Sequence, residues 1–480
     1  MEINYSKNKV LCCICIVLAC FLNAKTQEVN LKIHLRGVFE SKIGLLPLVG
    51  GKTILPIIEK SKIKNGDEVI LTVPQDKLPG EFVVRYDYKD TEASMPYPAE
   101  EHLFINHQDI ELWVNPKSCN NPDSTHFQKG EQENTIFARF STENANRRKP
   151  IGVLQDFLMN YDNPHSAFYK NAIQEYEKRC SAYNQWVKEQ ARMYNTTFVS
   201  NLFLFQYIPQ ISWEGSETDR KWNLESHYFE GIDFSNPLLI KAADLTNWMN
   251  QYVNIYGTMS TTVALRDSLF TLAGKNAIEK AKQGHPLVYG WMVDYFYKGY
   301  ESFNIAKGIQ MLEPYLDDPR CLTSKKLEIE KRLQGIETIR PGVVAPDFTT
   351  KDASGNPIQF LKYKTSSRYK LVLFWSADCQ HCKELVEKLY PWYLQAGGKR
   401  LMEVFAISVD DTDTEIKVWE EAKLKLPNWK HSRAERGINS PEASAYFILA
   451  TPVMVLVDAK TNQIVALPDT IDQLEKAITQ

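Results

Sequence analysis

Apolar residues occupy every second position at the start of the predicted globular part of the chain. Over Glu28–Arg36, Val29, Leu31, Ile33 and Leu35 alternate with polar residues, the period of a half-buried β-strand. Further apolar segments follow at Thr53–Ile58, Glu68–Val73, Glu81–Tyr88 and Leu103–Val114. Turn sequences separate them: Gly50-Gly51, Asn65-Gly66-Asp67 and Pro79-Gly80. This pattern predicts an all-β, sandwich-like domain over residues 28–133.

The period of the apolar residues changes from two to about 3.6 near Asn134, which indicates helices. The first such series is Phe157, Tyr161, Phe168, Ile173, Tyr176 and Cys180, with charged residues on the other faces. Later segments continue it: Ile278–Lys282, Val288–Tyr300, Ile305–Leu316 and Lys325–Ile336. The pattern predicts an all-α domain over residues 134–337. Its many aromatic side chains are typical of a core, with a partner-docking surface as the alternative.

The helical pattern breaks at Arg340-Pro341-Gly342, which predicts a domain boundary. Strand-like and helix-like segments then alternate: Tyr369–Trp375, Cys382–Leu394, Met402–Val409, Thr414–Leu424, Val453–Val457, Gln463–Ala466 and Ile471–Ile478. Strands that are apolar on both faces belong to a sheet covered on both sides. The sequence therefore predicts an α/β domain over residues 340–480 and a multidomain protein.

Composition narrows the function classes. The chain has 480 residues, of which 44% are hydrophobic and 24% charged, as in globular proteins. The 56 Lys and Arg residues and 59 Asp and Glu residues leave a net charge of −3. This balance gives no electrostatic reason to expect nucleic acid as a partner. The mean hydropathy of −0.36 excludes a polytopic membrane protein.

The first residues have the pattern of an export signal. Lys7 and Lys9 precede a 13-residue apolar run from Val10 to Leu22, which is too short to span a bilayer but fits a signal peptide. One interpretation is a signal peptide over residues 1–24, cut after Ala24. The other is a bacterial lipoprotein signal ending before Cys20, which would be lipidated and anchor the protein. Both predict an exported protein in the bacterial periplasm or cell envelope.

The motif with the clearest chemistry is Cys379-Gln380-His381-Cys382, between a predicted buried strand and a helix. Cys379 would lie at the helix N-terminus, where the positive end of the helix dipole favours the attacking thiolate. Cys382, one turn later, could resolve the mixed disulfide. His381 can add a hydrogen bond or a positive charge near the Cys379 sulfur.

Several ordered motifs resemble the thioredoxin superfamily, in particular its exported TlpA/ResA-like branch. Gly342-Val343-Val344-Ala345-Pro346-Asp347-Phe348 is similar to the opening of that branch, and Asp352–Gly355 with Pro357–Leu361 to its hairpin. Leu373-Phe374-Trp375 leads into the Cys-x-x-C motif as in that branch, and Trp375 would pack beneath the dithiol. The resemblance implies that Thr451-Pro452 is the cis-proline loop, which contacts the dithiol and shapes the substrate groove.

Other positions depart from the branch. Asp378 stands where the family usually has Trp, and its carboxylate would oppose the thiolate at Cys379. Leu373 replaces the buried Asp of thioredoxin itself, and Leu385 replaces the branch's glutamate. Glu384, one residue earlier, and Asp378 are therefore the candidates for the proton acceptor of Cys382, with Gln380 as a further tuning residue.

Other functions compete with disulfide exchange. A zinc site would need a second ligand pair at finger spacing, which the sequence lacks, so we expect no metal. A peroxiredoxin-like peroxidase would use Ser376, three residues before Cys379, but its accompanying Pro would fall at Val372. The remaining cysteines, Cys119, Cys180 and Cys321, are expected to be buried thiols or to include one structural disulfide.

The sequence thus predicts an exported thiol-disulfide oxidoreductase that needs no cofactor beyond the Cys379–Cys382 couple. Its partners would be protein thiols or disulfides and a membrane-bound electron-transfer protein. The alternative is a partner-binding protein in which the first two domains bind a client and the dithiol acts as a redox clamp or sensor.

Overall fold

The computed structural model describes residues 28–49, 52–53, 55–121, 123–213, 215–351, 356–395 and 401–479. The predicted export signal, Cys20, the Gly50-Gly51 turn and the Asp352–Gly355 segment lie outside the described residues. By compactness the chain divides into two units. The first is residues 1–299 with 314–324, and the second is residues 300–313 with 325–480.

Two sheets form the N-terminal part of the first unit. Their strands are β1 (Val29–Leu35), β2 (Glu40–Val49), β3 (Lys52–Thr53), β4 (Ile58–Lys64), β5 (Glu68–Val73), β6 (Gly80–Lys89), β7 (Tyr97–Ile105), β8 (Ile110–Val114) and β9 (His126–Phe127). One sheet has the order β5-β1-β8-β9 and the other β3-β2-β6-β7, with β4 also paired to β2. The alternating residues of β1 and β8 pack against those of β6 and β7 in one core. The predicted β-sandwich is confirmed.

Strand β2, at the centre of its sheet, was not among the predicted strands. It contains Pro47, although proline cannot donate to a β-ladder. Pro47 is tolerated because β4 pairs with β2 only up to Leu45, and β3 pairs only from Leu48. Pro47 therefore pairs with Phe82 of β6 on one side, and on the other side it falls in the gap between β4 and β3.

Ten α-helices follow in the described residues, as the 3.6-residue period predicted. They are α1 (Glu133–Asn160), α2 (Ala167–Met193), α3 (Ser200–Phe203), α4 (Glu217–His227), α5 (Asp244–Thr258), α6 (Val263–Ala281), α7 (Pro286–Ser302), α8 (Ala306–Met311), α9 (Glu313–Leu316) and α10 (Lys326–Thr338). Three aromatic residues of this segment, Phe203, Phe205 and Tyr228, are buried. They lie in the core, as the favoured interpretation of this aromatic-rich segment predicted.

Two buried polar residues at the start of α1 attach the helices of the first unit to its β-sandwich. The Asn134 side chain accepts from the Phe104 N–H (2.8 Å) and donates to its carbonyl (2.9 Å), which extends the edge of β7. The Glu133 carboxylate accepts from the N–H groups of Phe198 (2.9 Å) and Val199 (3.0 Å). These bonds satisfy groups that would otherwise be costly to bury.

The C-terminal part of the second unit is an α/β domain. Its strands are β10 (Thr349–Lys351), β11 (Pro357–Gln359), β12 (Tyr369–Trp375), β13 (Met402–Ser408), β14 (Lys430–Arg433), β15 (Val453–Asp458) and β16 (Ile464–Ala466). Its helices are α11 (Gln380–Gln395), α12 (Asp413–Lys423), α13 (Pro441–Ala445) and α14 (Ile471–Thr479). The main sheet has the order β14-β13-β12-β15-β16. Strand β12 runs parallel to β13 and antiparallel to β15.

Both faces of this sheet are covered, as predicted from its doubly apolar strands. One face packs on α11 and α14 through residues that include Val386, Leu389 and Leu474. The other face packs on Phe348, Phe360 and Tyr446 among others. Strand β14 escaped prediction because its sequence, Lys-His-Ser-Arg, is polar and lies at the sheet edge. The predicted α/β domain is confirmed.

Packing divides the chain at a different place from the predicted boundary at Arg340-Pro341-Gly342. A Cβ atom at Gly335 in α10 would lie 2.8 Å from the Phe447 Cβ, so this helix packs directly on the α/β domain. Ile339 is buried in the domain's core, and the Gly342 N–H donates to the Ile464 carbonyl (2.8 Å). The segment is therefore part of a packed surface, and α8 and α10 belong to the same compact unit as the α/β domain.

A buried carboxyl group makes the stability of the first unit depend on pH. Glu101 in β7 is 5% exposed, and its Oε2 accepts a hydrogen bond from the Tyr86 hydroxyl (3.1 Å). Burial raises the pKa of Glu101 to about 7, against 4.5 ordinarily. The folded state therefore holds its proton more tightly than the unfolded chain. The protonated Glu101 carboxyl therefore contributes fully to the free energy of unfolding below about pH 4.5. This contribution is lost as the pH rises through 7.

We predict that Glu101→Gln stabilises the protein at pH 8 and changes little at pH 5. The amide still accepts from Tyr86 but carries no charge to desolvate, so the gain at pH 8 should reach up to about 3 kcal/mol. Urea unfolding followed by tryptophan fluorescence at both pH values measures it. Glu100→Gln, at the half-exposed neighbouring carboxylate, is the control and should show no such gain. An equal response of both variants would contradict the role of Glu101.

Candidate active site

The helix that carries the dithiol begins directly beneath one of its sulfur atoms. Cys379 precedes the first residue of α11, and its Sγ accepts from the Cys382 N–H at 3.4 Å. A serine or aspartate oxygen usually accepts from this N–H at a helix N-terminus. Here sulfur takes that position, so the Cys379 sulfur lies at the N-terminal end of the helix.

The loop before β15 lies against the same sulfur. The Thr451–Pro452 peptide bond is cis, as the resemblance implied, and the Thr451 carbonyl oxygen is 3.7 Å from the Cys379 Sγ. Cys379 is partly exposed. A disulfide approaching Cys379 therefore meets the backbone of Thr451 on one side and the start of α11 on the other.

Cys382 is fully buried, with an exposed fraction of 0%. Its sulfur packs with Trp375 and Ala377 in one apolar cluster and accepts from the Ser376 N–H at 3.5 Å. Burial raises the pKa of Cys382 to about 12, against a smaller opposing effect of the Thr451 side chain. Cys382 is therefore a protonated, protected thiol beneath a more accessible Cys379.

The structure adds a residue that the sequence analysis missed. Asp410 follows β13, is 1% exposed, and accepts three hydrogen bonds. Its Oδ1 accepts from the Ser376 hydroxyl (2.6 Å), and its Oδ2 accepts from the Ala377 N–H (2.9 Å) and the Ser408 hydroxyl (2.7 Å). Ser376 and Ala377 form the loop between β12 and the dithiol, so Asp410 is a positioning residue for that loop.

A signal for Asp410 was present in the sequence. The carboxyl ends of adjacent parallel strands lie at the same edge of a sheet. The predicted strand Met402–Val409 ends next to Asp410, just as Tyr369–Trp375 ends next to the dithiol loop. The adjacency of the two strands, however, is visible only in the fold.

The predicted tuning residues lie on the exposed side of the helix start. Asp378 and His381 are exposed, and Asp378 is 3.8 Å from the Lys383 ammonium. The Gln380 amide donates to the Glu384 carboxylate at 3.0 Å. Glu384 is exposed and two residues from buried Cys382, and residues at that spacing do not face each other on a helix. The geometry therefore gives Glu384 no direct route to the Cys382 sulfur.

The other cysteines lie elsewhere. Cys119 and Cys180 are buried in the first unit, where burial raises the pKa of each thiol. Within the described ranges, no group of three or more His, Cys, Asp or Glu residues could hold a metal ion. No helix in the part of the chain that the structure describes is long and apolar enough to cross a membrane.

Comparison with known proteins finds a family match in the α/β domain. Residues 341–459 match the model of the AhpC/TSA family. A thioredoxin-like protein from Bacteroides caccae is 18% identical, covers 57% of this chain and 97% of its own, and has a TM-score of 0.39. The thioredoxin domain of a thiol-disulfide oxidoreductase from Bacteroides vulgatus is 25% identical over 29% and 96%, with a TM-score of 0.25. A thiol-disulfide oxidoreductase from Bacteroides fragilis is 23% identical over 28% and 97%, also at 0.25.

A search of curated protein sequences returned no significant match. The family match and the five-stranded sheet confirm that the C-terminal domain belongs to the thioredoxin superfamily. The predicted class, a thioredoxin-like enzyme with a general redox function, is confirmed at this level.

We predict that Asp410→Asn disturbs the dithiol loop. All three groups that contact the carboxylate are donors, and the amide NH₂ of asparagine cannot accept from any of them. The expected result is a loss of about 1–3 kcal/mol in the free energy of unfolding and a roughly tenfold or greater slowing of disulfide exchange. Urea unfolding and the rate of reaction with a small disulfide measure these effects. The exposed neighbour supplies the control, Asp411→Asn, which should match the wild type. A folded Asp410→Asn protein that exchanges at the wild-type rate would contradict this role.

Proposed function

We propose that this protein exchanges disulfides with other proteins through Cys379 and Cys382. The observation that carries the proposal is the asymmetry of the two sulfurs. Cys379 is partly exposed at the helix N-terminus, while Cys382 is buried one turn below with its pKa raised to about 12. An exposed attacker above a protected resolving thiol is the arrangement that two-step exchange requires.

In the first step the Cys379 thiolate attacks one sulfur of a client disulfide. A bond forms between Cys379 and that sulfur, the client S–S bond breaks, and the second client sulfur leaves as a thiolate and takes up a proton. The start of α11 stabilises the attacking charge, and the Thr451 carbonyl limits the approach to one side of the sulfur.

In the second step Cys382 loses its proton to a base and attacks the Cys379 sulfur. The mixed disulfide breaks, the first client sulfur leaves, and the Cys379–Cys382 disulfide forms. Two electrons have then passed from the protein to the client. The Ser376 N–H and the Thr451 side chain contact the Cys382 sulfur and can stabilise its transient charge. The reverse sequence oxidises a client dithiol.

One hydrogen bond argues against a peroxidase. Ser376 stands three residues before Cys379, where a peroxiredoxin-like site would use a hydroxyl. The Ser376 hydroxyl donates its only proton to Asp410 at 2.6 Å. It has no second proton to offer to a peroxide at Cys379.

The proposal extends to the protein's partners and to its location in the cell. The clients are protein thiols or disulfides, and the couple itself is the only redox group that the reaction needs. An exported protein of this kind operates in the periplasm or cell envelope, and a membrane-bound electron-transfer protein returns the couple to its starting state. Lys7, Lys9 and the apolar run after them support export.

We predict that Cys382→Ser accumulates mixed disulfides with clients on Cys379. The variant keeps the attacking sulfur but lacks the thiol that releases the client, so the first step proceeds and the second stops. Non-reducing gels and mass spectrometry of the trapped species identify the attached cysteine. Cys379→Ser is the matched control and should trap nothing.

Two outcomes would contradict the proposal. If clients are attached to Cys119, Cys180 or Cys321, the attacking thiol is not in the Cys-x-x-C motif. Stoichiometric capture of one partner by the wild type, without turnover of a generic disulfide, would favour the alternative function of a redox clamp or sensor.

We predict that the native protein fractionates outside the cytoplasm and lacks Met1, because the signal is removed during export. Amino-terminal sequencing of fractionated cells measures this. Cys20→Ser distinguishes the two cleavage sites, since it releases the protein from the membrane only if Cys20 carries a lipid. A cytosolic protein that retains Met1 would refute export.

A further inference from the structure

The second unit contains a cavity of about 480 Å³ next to the loop that contacts Cys379. One wall is the chain leading into β15, including Phe447, Ile448, Thr451 and Pro452. The opposite wall comes from outside the α/β domain, from α8, from α10 and from Asn304 before α8. The cavity therefore exists only because these helices pack on the domain.

Two contacts hold the helical wall in place. Gly335 of α10 packs against Phe447, where even one added methyl group would clash. On another side the Asn304 amide donates to the Asp469 carboxylate at 2.8 Å. Direct packing and a hydrogen bond thus join the two walls, so the cavity is part of the folded structure of this unit.

The floor of the cavity is apolar. Ile339, Ile448 and Met454 are buried there, while Leu467 remains 40% exposed. Of the charged groups on the walls, the Arg332 guanidinium contacts the Glu301 carboxylate at 2.8 Å, Asp469 accepts from Asn304, and Arg340 donates to the Glu337 carbonyl. An apolar side chain that enters the cavity would bury the exposed surface of Leu467.

One residue, Thr451, connects the cavity to the attacking sulfur. Thr451 lines the cavity, and its carbonyl oxygen lies 3.7 Å from the Cys379 Sγ. A client chain that passes over Thr451 while its cysteine bonds to Cys379 would bring a neighbouring residue to the cavity.

We propose that this cavity binds an apolar side chain next to the reacting cysteine of a client polypeptide. The proposal rests on the disulfide exchange proposed above and adds a substrate class to it. The helices that precede the α/β domain then select clients, and do not serve only as a spacer. Clients with polar residues beside the cysteine react through Cys379 alone, without this binding energy.

The test compares two synthetic peptides and one small disulfide. Each peptide carries a single cysteine as a mixed disulfide with glutathione, flanked on both sides by Leu in one peptide and by Asn in the other. Glutathione disulfide is the small reporter. The second-order rate constants for their reaction with the reduced protein are measured by chromatography.

The wild type should react on the order of tenfold faster with the Leu peptide than with the Asn peptide, which equals about 1.4 kcal/mol. Leu467→Asn, which removes the exposed part of the floor, and Ala306→Phe, which fills the cavity from α8, should each remove most of this preference. Both should leave the rate with glutathione disulfide unchanged. Leu424→Asn changes an exposed leucine outside the cavity and should keep the preference.

A wild type without preference, or a preference that survives both cavity variants, would overturn the assignment while leaving disulfide exchange intact. Failure of the wild type to react with any of the three probes would instead refute the proposed function itself. The two failures are therefore distinguishable.

Discussion

The pairing of β12 with both of its neighbours is the constraint on which the site depends. Because β13 runs parallel to β12, their carboxyl ends lie together, and this brings Asp410 under the loop of Ser376 and Ala377. Because β15 runs antiparallel to β12, its beginning lies at the same edge, and this brings Thr451 to the Cys379 sulfur. Three segments that are far apart in sequence meet at one sheet edge.

The two cysteines of the motif have opposite surroundings although only one helical turn separates them. Cys379 caps the helix, where its sulfur accepts from the Cys382 N–H, and it remains partly exposed. Cys382 faces the core with Val386 and Leu389, and burial favours its neutral thiol. The amphipathic pattern of α11 produces this difference, because the residue that follows the cap by one turn begins the helix's buried stripe.

Helices α8 and α10, which precede the α/β domain, add a surface next to the dithiol site. Gly335 allows α10 to lie close to Phe447, and the chain from Ile339 to Gly342 is attached to the domain by burial and by backbone hydrogen bonds. The sheet edge beside the Thr451 loop thereby acquires a second wall from α8 and α10. In the proposals above, selection of clients and disulfide chemistry are separate properties of one unit.

Local patterns in the sequence determined the classes of structure and located the candidate dithiol. Period-two and 3.6-residue alternation identified the β-sandwich, the helices and the α/β domain, since burial of one or both faces leaves that pattern in any chain. The Cys-x-x-C motif after a buried strand identified the dithiol for the same local reason. Only the tertiary structure revealed β2, with Pro47 between two partners, and the polar edge strand β14. It alone gave Asp410 its role and attached α10 to the α/β domain, because these features depend on which distant segments become neighbours, and hydrophobic periodicity carries no record of that choice.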